Sequence, residues 1–115
     1  MEYDLFNILQ QKSKDLDTAV RQLRTSAKNY AQAYYDYRIA VAEETIKERE
    51  KGTAVTLISD KVRGMPRVAK LKFNETFQEG IYKANQESIQ AIKLQIRLLD
   101  AQLEREWSIA GKGDI

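Results

Sequence analysis

Leu9, Leu16, Leu23, Tyr30 and Tyr37 stand seven residues apart, and this spacing constrains the chain more than any other feature. A seven-residue apolar repeat kept up for that long describes an α-helix pressed along one edge against another helix. A second series, offset by four, reads Phe6, Ser13, Val20, Ala27, Tyr34 and Val41. Together the two predict a coiled-coil-like seam over about five heptads. Ala19, Ala27, Ala31 and Ala33 leave room for a close neighbour, and Asp17–Arg21 and Glu43–Lys47 are charge pairs in the favourable i,i+4 order. A first helix is therefore predicted over about residues 3–51.

Gly52 follows Lys51 as a helix stop, because glycine takes the left-handed conformation at little cost. Residues 52–65 form a connector. Its Val55, Leu57, Ile58 and Val62 suit one face of a short helix, capped at Thr53 or Thr56 and ended by Gly64. A short strand competes for the β-branched run from Ala54 to Ile58. It has no second strand to pair with, so the helix is preferred. Pro66 suits the first turn of a second long helix, expected over about residues 66–107, with a frayed tail at 108–115. Ile89, Ile92, Ile96, Leu99 and Leu103 define its seam. Val68, Leu71, Phe73, Phe77, Ile81 and Ala84 lead into that seam with an expected phase shift or bend at Gly80.

Two long helices with a short link predict an all-α fold, a single antiparallel hairpin domain over residues 1–115. Leu5, Phe6 and Leu9 would then come near Leu103 and Trp107. Ile8, Ile39, Ile46, Leu94 and Leu98 lie outside one narrow seam, so a homo-oligomer, a dimer or tetramer forming a helical bundle, is expected. Tyr30, Tyr34, Tyr37, Ile89, Ile92, Ile96, Leu99, Leu103 and Trp107 are its interface candidates. The other reading of the tyrosine cluster, as a stacking platform for bases, is the weaker one. Tyr35 and Arg38 suit an exposed contact better.

The chain has no Cys and no His. That excludes disulfides, thiol nucleophiles, histidine bases and Cys/His zinc sites. Glu44/Glu48, Glu75/Glu79 and Asp100/Glu104 are spaced by four, and solvated faces are the preferred reading of them. The Glu-x-x-Glu pairs that hold magnesium in helical nucleotide pyrophosphatases do not occur, nor does a Gly-rich phosphate loop. No enzymatic activity, metal or cofactor is expected. The acidic start and the shortness of the apolar run from Ile39 to Ala42 point to a cytoplasmic protein without a membrane span.

Charge is nearly balanced, at a net +2, but Lys61, Arg63, Arg67, Lys70 and Lys72 cluster around the connector. They are the candidate contact for nucleic-acid phosphates or an acidic partner. The competing reading pairs them with Glu43, Glu44, Glu48 and Glu50 of the first helix.

The run from Gly52 to Gly64, the preceding Tyr37-Arg38-Ile39-Ala40 and the closing Leu98 to Trp107 resemble small uncharacterised proteins of phages and prophages of Gram-positive bacteria. The resemblance covers most of the chain. It implies a phage or prophage origin and an early, non-virion role near DNA recombination or replication, with no catalytic residues to carry over. The resulting expectation is a non-enzymatic accessory protein that binds a macromolecule through the basic connector. A helical inhibitor or adaptor of a host protein, or a phage assembly component, are the alternatives.

Overall fold

The computed structural model describes residues 2–113, and the surroundings of side chains over residues 4–111. Its elements are α1 (Glu2–Glu50), α2 (Val55–Arg63) and α3 (Pro66–Gly113). The fold is all-α, with α1 and α3 antiparallel and joined by the short helix α2.

The turn after α1 follows from Gly52. Its φ of 81° is the left-handed conformation. With it, Gly52 N–H donates to the Arg49 carbonyl and Thr53 N–H to the Glu48 carbonyl. This double closure ends α1 with the Glu48 and Arg49 carbonyls satisfied. The short helix forms as expected, but neither threonine caps it. Ala54 is the N-cap and no side chain bonds there, because the Thr53 hydroxyl donates to Glu48 instead, at 2.7 Å. Gly64 ends α2, and Pro66 opens α3, where its missing N–H costs nothing. Helix α3 then continues through Gly113. The tail expected to fray from residue 108 is helical to that point, and the rest of it lies outside the described residues.

The chain divides into two compact units, one joining residues up to Arg24 with those from Ala84 onward, the other spanning Thr25–Lys83. In the second unit, the cross-helix pairs Glu43–Arg67, Tyr37–Lys72 and Tyr30–Glu79 run in opposite order along α1 and α3. That order is the antiparallel arrangement. Its apolar cluster is Ala40, Ile58, Val62 and Val68, with Tyr37, Val41, Met65 and Leu71 against it. Helix α2 supplies two of the four buried members, so it is a packed element and not only a linker. In the first unit, Phe6 lies with Leu103 and Trp107, and Asn85 Nδ2 donates to the Gln22 carbonyl at 3.3 Å.

The seam differs in one respect from the sequence expectation. Leu9, Leu16, Leu23, Tyr30 and Tyr37 are half-buried, as predicted. Their partners along α1, however, are Leu5, Lys12, Ala19, Ser26, Ala33 and Ala40, offset by three. Ala19, Ser26, Ala33 and Ala40 are the buried members, so the seam on α1 is built from small residues at every seventh position. Of the series offset by four, Phe6, Ser13 and Tyr34 are exposed and Val20, Ala27 and Val41 half-buried. It flanks the seam.

On α3 the main covered series is Val68, Leu71, Glu75, Gln78, Tyr82, Asn85, Ile89, Ile92, Ile96, Leu99 and Leu103, with Glu79 and Glu106 half-buried beside it. The series alternates by three and four without interruption, so the phase shift expected at Gly80 does not occur. The inward face simply passes through polar residues, while Phe73, Phe77, Ile81 and Ala84 point outward.

Candidate functional site

The basic connector is already occupied by carboxylates. Lys61 Nζ lies 2.8 Å from Glu48, and Arg63 pairs with Asp60 at 2.6 Å. Arg67 spans two acids of α1, Glu43 at 2.7 Å and Glu44 at 3.0 Å. Those two hydrogen bonds raise the Arg67 pKa further. They also explain why a cation stands in the first turn of α3, where the helix dipole disfavours it. Lys72 pairs with Glu75 at 2.8 Å and rests over the Tyr37 ring, 5.1 Å from its centre. Among the described residues, Lys70 is the one member of the five without an acidic partner. Lys61 and Arg63 thus stand on α2 and Arg67, Lys70 and Lys72 on the start of α3, with four of the five charges matched.

Among the described residues Glu48 is the most deeply placed charge, with 1% of its surface exposed. Lys61 and the Thr53 hydroxyl both donate to its carboxylate, and Lys51 stands 3.5 Å away. The Lys61 and Thr53 bonds outweigh desolvation and hold its pKa down at about 2. This is a structural lock on the α1–α2 turn. Glu44, Glu75 and Glu79 likewise face cations: Arg67 and Lys47, Lys72, and Lys83. No group of three acids suited to a metal ion occurs among the described residues, and no described helix is long and apolar enough to cross a membrane.

The interface candidates fall into two sets. Tyr30, Tyr37, Ile92, Ile96, Leu99 and Leu103 are half-buried and Ile89 is buried, so these residues are used within the chain. Tyr30 donates to Glu79 at 3.3 Å and meets Tyr82 with ring centres 6.0 Å apart. Burial, followed by the nearby Glu79 charge, pushes its phenol up from the ordinary value. Tyr34 and Trp107 are exposed, Trp107 at 66%.

Each of these exposed rings borders an apolar groove. In the unit of residues 25–83, Ala27, Tyr30, Ala31, Tyr34 and Tyr82 line a groove of about 360 Å³. In the other unit, Phe6, Leu103, Glu104 and Trp107 line one of about 510 Å³. A third hollow of about 350 Å³ lies between α1 and α2, with Tyr37 and Val62 inside and Arg49 and Arg63 among its lining. The first two grooves follow from the flanking series on α1, in which Phe6 and Tyr34 stand half in and half out of the seam. The sequence repeat contains that signal, since the series offset by four lies on the flank of the seam and not in it.

No family model matches the chain, and neither a curated protein nor a solved structure does.

Proposed function

We propose that this chain is a non-enzymatic interaction module that docks an apolar helix of a protein partner on its aromatic-lined grooves. The observation that carries the reading is the pair of open grooves, bordered by Tyr34 with Tyr82 and by Phe6 with Trp107. Large aromatic side chains standing at the rim of an apolar hollow are the anchors that dominate protein–protein binding energy. Within the resemblance to phage proteins, such a module is an adaptor or inhibitor of a host protein.

Contact with nucleic acid through Lys61, Arg63, Arg67, Lys70 and Lys72 is the competing reading. It requires exchanging five existing ion pairs, held by four of the cations, for phosphate contacts, and the Lys61 exchange would leave the buried Glu48 carboxylate with only the Thr53 hydroxyl and the more distant Lys51. The two readings respond oppositely to salt. Docking on apolar grooves persists in high salt, whereas phosphate binding weakens steeply.

The test is capture of partner from a nuclease-treated lysate of the source organism, with Tyr34→Glu, Trp107→Glu and the pair Arg63→Glu/Arg67→Glu run in parallel. Retention of one protein at high salt, lost with Tyr34→Glu or Trp107→Glu and kept with the arginine reversals, is the expected result. Salt-sensitive binding of a labelled DNA or RNA probe, abolished by the arginine reversals, would overturn the reading.

A further inference from the structure

Helix α3 is unbroken from Pro66 to Gly113, and it carries a second regular series on the side away from its covered residues. Phe73, Phe77, Gly80, Ala84, Glu87, Ala91, Leu94, Leu98 and Ala101 follow one another in alternating steps of four and three. All are exposed, Phe73 at 73% and Leu98 at 61%. Glu87 is the one charged member. The face of α1 opposite its own seam is more polar: Asn7, Lys14, Arg21, Lys28, Tyr35, Ala42 and Arg49 stand at every seventh position, and the exposed Ile39 and Ile46 near its end do not extend into a regular apolar series. A helix face turned to water is polar. An apolar face with 3.5-residue spacing is the complement of another helix.

We propose that the outer face of α3 is covered by α3 of a second copy of this chain, running antiparallel. The argument is one of size. In a parallel, in-register pair each residue would meet its own copy. Phe77 would then crowd Phe77, Gly80 would leave a void against Gly80, and two Glu87 carboxylates would meet. Alternately overfilled and empty layers cost packing energy on both counts.

An antiparallel pair with its two-fold axis level with Ile89 removes the conflict. Phe77 meets the partner's Ala101, and Gly80 meets the partner's Leu98. Ala84 meets the partner's Leu94, and Glu87 meets the partner's Ala91. From Phe77 to Ala101 each layer then holds one large and one small side chain, with Phe73 beyond the last of these layers, and the symmetry repeats each layer on the other side of the axis. The stagger also separates the two Glu87 side chains by about 6 Å along the axis. The single charged position penalises arrangements that bring it against its copy, the role polar residues play in fixing coiled-coil register. The inference shares with the proposed function the use of apolar helix faces, but involves a different face and a different occupant.

The chain lacks cysteine, so single cysteines report the register directly. Chains carrying Glu87→Cys are mixed with chains carrying Ala91→Cys under mild oxidation. A disulfide between the two kinds of chain, with little covalent dimer from either kind alone, is the expected result, because position 87 lies beyond disulfide reach of its own copy. Self-linked Glu87→Cys dimers, no covalent dimer at all, or a monomeric mass in sedimentation at micromolar concentration would overturn the proposal.

Gly80→Leu supplies a second readout. Nothing lies within 4 Å of a side chain added there, and leucine favours helix over glycine, so the single chain keeps its fold. Opposite the partner's Leu98 the added bulk weakens self-association about tenfold or more; unchanged association would count against the proposal. Tyr34→Glu leaves self-association intact, so a monomeric chain that still captures its partner would remove this inference and spare the proposed function.

Discussion

At the scale of single residues, the turn between α1 and α2 depends on Glu48 and Gly52. Glu48 is ionised in the folded chain well below the ordinary carboxylate range, at about 2 against 4.5. A depressed native pKa contributes stability that is complete above the unfolded value and is lost as pH falls toward the native one. The Glu48 contribution is thus present at neutral pH and disappears between about 4.5 and about 2. Glu48→Gln is expected to lower the thermal midpoint at pH 7, with the gap to the unaltered chain narrowing as pH falls through that window. A constant gap would show that the carboxylate charge is not what locks the turn. Gly52 has φ 81° and open space around it, so Gly52→Ala tests backbone strain alone. It should cost about 1 kcal/mol in chemical denaturation.

At the scale of elements, the two long helices are held by different means along their length. On α1 the inward positions are Ala19, Ser26, Ala33 and Ala40, which permit close approach but leave no space for growth. Ala33→Leu is expected to destabilise by about 1–3 kcal/mol through overpacking, measured by urea unfolding. Helix α2 is anchored by Ile58 and Val62. Ile58→Ala should cost about 2–3 kcal/mol, with exchange protection lost first over residues 55–63.

Much of this architecture was legible in the sequence. The seven-residue repeat, Gly52 and Pro66 placed the long helices and their turn, and Gly64 placed the end of α2. Two assignments failed for one reason: periodicity reports that a face is apolar, not which neighbour covers it. Phe6, Val20 and Tyr34 are larger than Ala19, Ser26 and Ala33, so the apolar pattern marks the flank more strongly than the seam. Phe73 and Phe77 drew the reading of α3 outward, because the covered positions there are Glu75, Gln78 and Asn85. Glu75 is made tolerable by Lys72, and Asn85 by the Gln22 carbonyl. The first is a local i,i+3 pair within α3, whereas the second crosses between the helices and is a tertiary fact that no local pattern displays. The basic cluster is visible in the sequence, and so are Glu43, Glu44 and Glu48, the acids that match Arg67 and Lys61.

At the scale of the whole molecule, one sequence encodes two kinds of heptad face. One closes α1 against α3 within the chain; the other, on the outside of α3, is exposed in the single chain and is the face proposed to meet a second copy. The most direct test is the thermal midpoint as a function of protein concentration, for the unaltered chain and for Leu94→Glu/Leu98→Glu. The account predicts a midpoint that rises with concentration for the unaltered chain. For the variant it predicts a concentration-independent but still cooperative helical melt, because the inner seam is untouched. A concentration-independent midpoint in the unaltered chain, or a variant that fails to form helix, would contradict it.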